Sequence, residues 1–231
     1  GFAIQLSALK DTVDPVLSIS TPAIANSYNY TGYTFGGSCT TSDGNVSYTI
    51  ASPSGGSNVT GSVACSGASW SSGSIDLTNL NDDLAITFDA QQTDSASNTG
   101  YAIQQTTLKD IVLPVLSINP VSTINNTNKN SYTISGSCTT SDGNVTYTLA
   151  SPSGGTSVSA SVVCSASTWS SGSIPVTSPN DNLAVTFDAQ QTDTSGNIGN
   201  ATQLTAIKDT ADPNVAINAV NSVNTLNYTT Y

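Results

Sequence analysis

Oxygen donors dominate the side chains able to do chemistry in this sequence, and they recur at fixed places. Asp11, Asp14, Asp43, Asp94 and Asn98 form one set; Asp110, Asp142, Asp193 and Asn197 form a second, 99 positions further on, with Leu113 at the place of Asp14. Carboxylates and amide carbonyls suit a hard cation such as calcium, which takes about six to eight oxygens. Three or four aspartates brought within reach of one another would hold it, so calcium is the cofactor this pattern suggests. The alternative is that Asp and Asn, both good turn formers, only shape loops here.

Four cysteines give the second chemistry. Cys39 and Cys65 recur as Cys138 and Cys164, which predicts one bridge per repeat, Cys39 to Cys65 and Cys138 to Cys164. Closing a loop of that size would add about 3.5 kcal/mol on a chain-entropy model. Such bridges persist in oxidising surroundings outside the cytoplasm. Four buried free thiols are the other possibility.

Catalytic chemistry is poorly provided for. The chain has no histidine, so the usual activation of a serine or cysteine nucleophile is missing. Asp82-Asp83 is the obvious carboxylate pair for glycoside hydrolysis, yet it becomes Asp181-Asn182 in the second copy and falls in an expected turn. Lys10, Lys109 and Lys208 recur beside Asp11, Asp110 and Asp209, and pairing with these linker aspartates is the preferred reading over amide staples to asparagine. We expect a non-catalytic protein.

The elements that must position these groups read as strands. Glu, Arg and Met are absent, and short runs rich in Thr, Val, Ile and Tyr alternate with turn residues. The first copy offers strands at 16–20, 33–40, 46–51, 59–65, 72–77, 84–91 and 101–107. Seven strands in about a hundred residues predict an immunoglobulin-like sandwich. In the sixth, Leu84, Ile86, Phe88 and Ala90 share one face, expected to be core. Trp70 and Trp169 read as core plugs beside the disulfide rather than exposed sugar platforms. In such a sandwich the loops after strands two and six sit where the first strand begins, so both aspartate sets should gather at junctions between modules, with the Asp82-Asp83 loop of the preceding module facing them.

Residues 9 to 107 return in exact register as 108 to 206 with roughly 60% of positions identical, which means tandem duplication of one module. The division expected is therefore 1–8, the last strand of an incomplete preceding repeat; 9–107, repeat one; 108–206, repeat two; and 207–231, the start of an incomplete third. The fold class is all-β, tandem immunoglobulin-like β-sandwich repeats arranged as an extended rod. Ends of this kind suggest either a cut array or strands completed by neighbouring molecules.

Gln92-Thr93-Asp94-Ser95-Ala96-Ser97-Asn98, followed by Leu108-Lys109-Asp110 and Pro114, resembles the closing signature of bacterial Ig-like repeats. Gln191-Thr192-Asp193-Thr194-Ser195-Gly196-Asn197 and Lys208-Asp209-Thr210-Ala211-Asp212-Pro213 match it more closely. The resemblance implies a large bacterial surface adhesin or fibre with these repeats as its stalk, often with calcium between modules, and a cysteine-containing subset of that family.

Net charge is −11, with four basic residues in all. A phosphate backbone would be repelled, which excludes nucleic acid, and anionic membrane surfaces are excluded with it. No apolar run reaches the length of a membrane span. The expected partners are neighbouring repeats of the same chain and, in a fibre, other copies of it. The leading expectation is an extracellular spacer on a bacterial cell surface. The alternatives are a filament or sheath subunit joined by strand addition, with unpaired strands near 1 to 9 and 214 to 231, and a repeated carbohydrate-binding module using Tyr28, Tyr30 and Tyr33.

Overall fold

Alternating apolar residues make the strands, and the pairing of those strands makes two sandwiches in series. The computed structural model describes residues 10–219. In the first module β1 (Gly36–Ser38), β2 (Val46–Ala51), β3 (Val59–Val63), β4 (Ser69–Ser71), β5 (Asp83–Thr93), β6 (Thr99–Tyr101) and β7 (Gln105–Lys109) follow in order. The larger sheet runs β3-β2-β5, with β6 and β7 both on the far edge of β5; the smaller pairs β1 with β4. The second module repeats this with β8 (Ile124–Asn125), β9 (Ser135–Ser137), β10 (Val145–Ala150), β11 (Val158–Val162), β12 (Thr168–Ser170), β13 (Asn182–Thr192), β14 (Ile198–Asn200) and β15 (Leu204–Asp209). A 3₁₀ turn at Tyr30–Gly32 is the one helical element among the described residues. The chain is thus an all-β pair of Ig-like modules.

Each core fills the space between its two sheets. Val46, Tyr48 and Ile50 of β2 and Ile86, Phe88 and Ala90 of β5 share the core with Trp70 of β4, Phe35 just before β1, and Leu17 and Ile19 of the segment bonded beside β1. Phe35 makes edge contacts with Tyr48, Trp70 and Phe88 at 5.2, 5.3 and 5.0 Å. Trp70 is 5% exposed and donates its indole N–H to Ser18 O at 3.1 Å, as Trp169 does to Ser117 O. Both tryptophans are core residues, and neither offers a sugar platform. Disulfides join Cys39 to Cys65 and Cys138 to Cys164, and no described cysteine is free.

Several boundaries differ from the sequence expectation. Residues 16–20 form a segment bonded on one side only, through Ser18 N–H to Ser38 O and Ser20 N–H to Gly36 O. The strand expected at 72–77 instead lies at Ser69–Ser71, and beyond it Ser72, Ile75 and Leu77 bond back to Phe35, Tyr33 and Tyr30, with an isolated bridge at Ile75. Strand β7 runs two residues past position 107, so the sequence period and the structural module are offset. The strand expected over 1–8 lies outside the described residues, as do residues 220–231 of the expected third repeat.

The most consequential difference is Leu84. A register shift between Asp83 and Ile86 in the pairing of β5 with β7 removes it from the core face, and it is 86% exposed. The second module has the same shift between Asn182 and Val185, and Leu183 is 81% exposed. A bulge re-aims a side chain in this way because one strand carries an extra residue.

Candidate functional site

The junction between modules is where the oxygen-rich residues meet. Its frame is set by β5 and β13, whose two ends carry different loops. Asn98 at the far end of β5 donates to Asp11 O, while Asp82 at the near end holds Lys109. The chain therefore enters a module at one end and leaves it at the other, separated by an 11-residue strand of about 36 Å. After its first strand the chain crosses to the larger sheet, where Ala25 bridges Lys109 in parallel and β8 pairs β15 in parallel.

The turn after β13 is built by Asp193. Its Oδ1 accepts the N–H groups of Ser195 and Asn197, both at 2.8 Å, and its Oδ2 accepts Asn197 Nδ2 at 2.8 Å. Gly196, at φ 86°, supplies the left-handed residue the turn needs. Asp94 makes the same three bonds in the first module to Ala96 N, Asn98 N and Asn98 Nδ2. The Asn98 amide, foremost, holds the Asp94 carboxyl below the usual carboxylate range.

Asn197 then reaches both ways across the junction. Its Nδ2 also donates to Asp110 O at 3.1 Å, and its Oδ1 accepts the backbone N–H of Ser27, in the first module, at 2.8 Å. Asn26 Nδ2 donates to Ser195 O at 2.8 Å, and Ser195 Oγ donates to Asp110 Oδ2 at 2.9 Å. Asn26 is presented by a box in which its N–H bonds Asn29 Oδ1 and Asn29 Nδ2 bonds Ile24 O. Asn125 and Asn128 build the same box in the second module. Asn197 is fully buried here, whereas Asn98 is only half-buried.

The aspartates of each predicted set take different places. Asp142 lies in the field of two others of its set: burial, then the charges of Asp193 and Asp110, push its carboxyl up. Asp11 accepts the N–H of Val13, two residues on, and Asp14 is exposed. Asp43 lies in the loop held by Gln92, whose Nε2 donates to Thr40 O and Gly44 O while its Oε1 accepts Thr40 N–H. Among the described residues no group of three or more carboxylates or thiols stands close enough to hold a metal ion. The oxygens of Asp193 and Asp110 face N–H and O–H donors, and Asn197 Oδ1 is taken by Ser27. As arranged, this donor set does not fit the roughly six to eight oxygens of calcium.

Lys109 pairs with Asp82 rather than with Asp110. Its Nζ lies 2.5 Å from Asp82 Oδ1, and Asp82 Oδ2 accepts the N–H of Ile111 at 3.0 Å. Lys208 and Asp181 repeat the pair at 2.6 Å, with Thr210 in the place of Ile111. The Asp82 loop thus grips the start of the linker. Tyr33 is buried, which pushes its phenol up to about 12, and its hydroxyl donates to Ala23 O; of the three candidate sugar-binding tyrosines Tyr28 is the most exposed, at 64%.

No protein-family model matches the sequence, and no curated protein does. Solved structures similar to it include the tetra-tandem repeat from the extending region of a large adhesion protein, at 20% identity and a TM-score of 0.37, covering 84% of this chain and 50% of that one. The fibronectin(III)-like modules of Clostridium thermocellum CbhA align at 11% identity and 0.40, covering 84% and 95%. The FN1-FN3 domains of chicken CNTN1 align at 8% and 0.38, covering 84% and 65%. This chain spans half the length of the adhesion-protein repeat it matches.

Proposed function

We propose that this chain is a spacer segment whose modules are fixed end to end, projecting a binding partner away from a bacterial cell surface as part of an adhesin or fibre. The observation that carries the reading is Asn197, which bonds its own turn, the linker and the preceding module at once. A junction closed by side chains from both modules transmits orientation along the array, and repetition then turns a short module into length. The disulfides fit an extracellular setting. A spacer role calls for no catalytic residue.

Calcium at the junction is a separate proposal with a structural requirement. The ion would have to displace N–H donors from Asp193 and Asp110 and draw in Asp142, the carboxylate whose charge is opposed by both.

Small-angle scattering on residues 10–219, with and without Asn197→Ala, tests the spacer reading. The parent should give one narrow distance distribution and the variant a broader one with a shorter mean. Identical profiles would show that the junction does not set module orientation, and the reading would fail.

A further inference from the structure

We infer that the inter-repeat junction carries a docking groove for a basic partner segment in which an apolar side chain is flanked by lysines or arginines. The groove, about 540 Å³, exists only where two modules are docked, because one wall comes from the first module and its linker and the other from Thr194 and Ser195 of the second. In that respect it rests on the fixed junction proposed above. Its apolar floor is Leu84, Leu108 and Val112, with Leu84 86% and Val112 67% exposed. Asp82, Asp83, Asp110 and Lys109 line the same groove, and pairing of Lys109 with Asp82 leaves it a net negative charge carried by Asp83 and Asp110.

Leu84 is the residue that asks for an explanation. A strict alternation along β5 would bury it with Ile86 and Phe88, and the bulge turns it outward instead. Holding an apolar side chain in water forfeits its burial, about 1.5–3 kcal/mol for a leucine. The second module repeats the same bulge and the same exposed leucine, Leu183, with Ile207 43% exposed behind it. An apolar feature maintained in both copies, and flanked in the first by Asp83 and Asp110, has the form of a recognition surface rather than a stray exposed residue.

Charge selects the occupant. A second copy of this chain carries the same net −11 and would meet the acidic rim with its own. Phosphates and anionic lipids are repelled on the same ground. A neutral sugar would want an aromatic platform, and the groove has none. Asp82 is already paired with Lys109, so a cationic segment gains from Asp83 and Asp110 while its apolar side chain covers Leu84 and Val112.

The test uses two fluorescein-labelled heptapeptides, one alternating lysine with leucine and one alternating lysine with serine, titrated by anisotropy at physiological salt. The lysine-leucine peptide should bind, and the paired substitution Leu84→Ser with Leu183→Ser should weaken it by about fivefold or more. The lysine-serine peptide should bind more weakly and be indifferent to those substitutions. Equal binding of the two peptides, or no loss in the variant, would overturn the inference. Both leucines are exposed, so the variant folds, and its scattering profile should match the parent. An altered profile would locate the fault in the junction; an unaltered one with unchanged affinity would locate it in the groove.

Discussion

Lys109 and Asp82 form a nearly buried ion pair, with the lysine side chain 1% and the aspartate 30% exposed, and the Tyr30 ring centroid 6.0 Å from the lysine Nζ. Removing the carboxylate leaves a positive charge in the module with no partner, which costs far more than the pair itself contributes. Asp82→Asn should destabilise the first module by about 3 kcal/mol, read from its urea midpoint. Lys109→Met, which fills the same space without charge, should cost much less. Equal losses in the two variants would mean that the unpaired lysine carries no extra penalty and that the pair itself is what stabilises the module.

The acid response should have two opposing parts. Asp94 and Asp181 have folded carboxyls held below their unfolded values, by the Asn98 amide and by Lys208 respectively. Their contribution is present above the ordinary carboxylate range and is lost as pH falls through the folded values. Asp142 has the opposite sign: its folded carboxyl is raised, so its charge opposes folding at neutral pH and that opposition is relieved as pH falls. Asp142→Asn should therefore raise the melting temperature at pH 7 and change it little at pH 3.

The same variant decides the calcium proposal. With the donor set as arranged, melting of the two-module chain should be indifferent to millimolar calcium and to chelator. A calcium-dependent rise in the parent that disappears in Asp142→Asn would assign an ion to Asp110, Asp142 and Asp193.

Two glycines let the first strand approach the sandwich. A Cβ on Gly37 would lie 1.9 Å from Ser18 O, and one on Gly100 1.8 Å from Pro15 O. Neither contact is with a flexible tip, so the whole segment would have to move. Gly37→Ala should cost roughly 2 kcal/mol or more, in the range of overpacked sites. Gly32→Ala, whose Cβ would meet only the Ser74 hydroxyl at 3.5 Å, is the control and should be nearly neutral. Hydrogen exchange should show loss of protection at Ser18 and Ser20 in Gly37→Ala alone.

Much of this architecture was legible in the residue order. Strand β2 follows its alternation of Val46, Tyr48 and Ile50 to the residue, and the disulfides follow from one cysteine pair per repeat. Leu84 was misplaced because alternation assumes an unbroken register, and a bulge is a property of two strands rather than of one. Asn26 and Ser27 carried no chemical signal of their own. Their role depends on a turn some 170 positions away, although the Asn-x-x-Asn spacing at Asn26 and Asn29, repeated at Asn125 and Asn128, marked a structured loop. Composition shows the oxygens of the aspartates and not the N–H groups that face them in the fold.

Tension along the array should expose the disulfide's contribution directly. Pulling at the two ends of a module loads the parallel contact between Ala25 and Lys109 in shear, so Ala25 N–H to Leu108 O and Asp110 N–H to Ala25 O bear force together. Once they part, the sandwich unravels, except for the 26-residue span closed by Cys39 and Cys65. That span cannot lengthen while the bridge stands. At about 3.4 Å per residue, reduction should add roughly 9 nm to the extension released per module in single-molecule stretching. The bridge joins the end of β1's loop to the segment after β3, away from Ala25 and Lys109, so the force at which the module first yields should fall only slightly on reduction. A large fall in that force would mean the smaller sheet, and not the parallel contact, is the mechanical weak point.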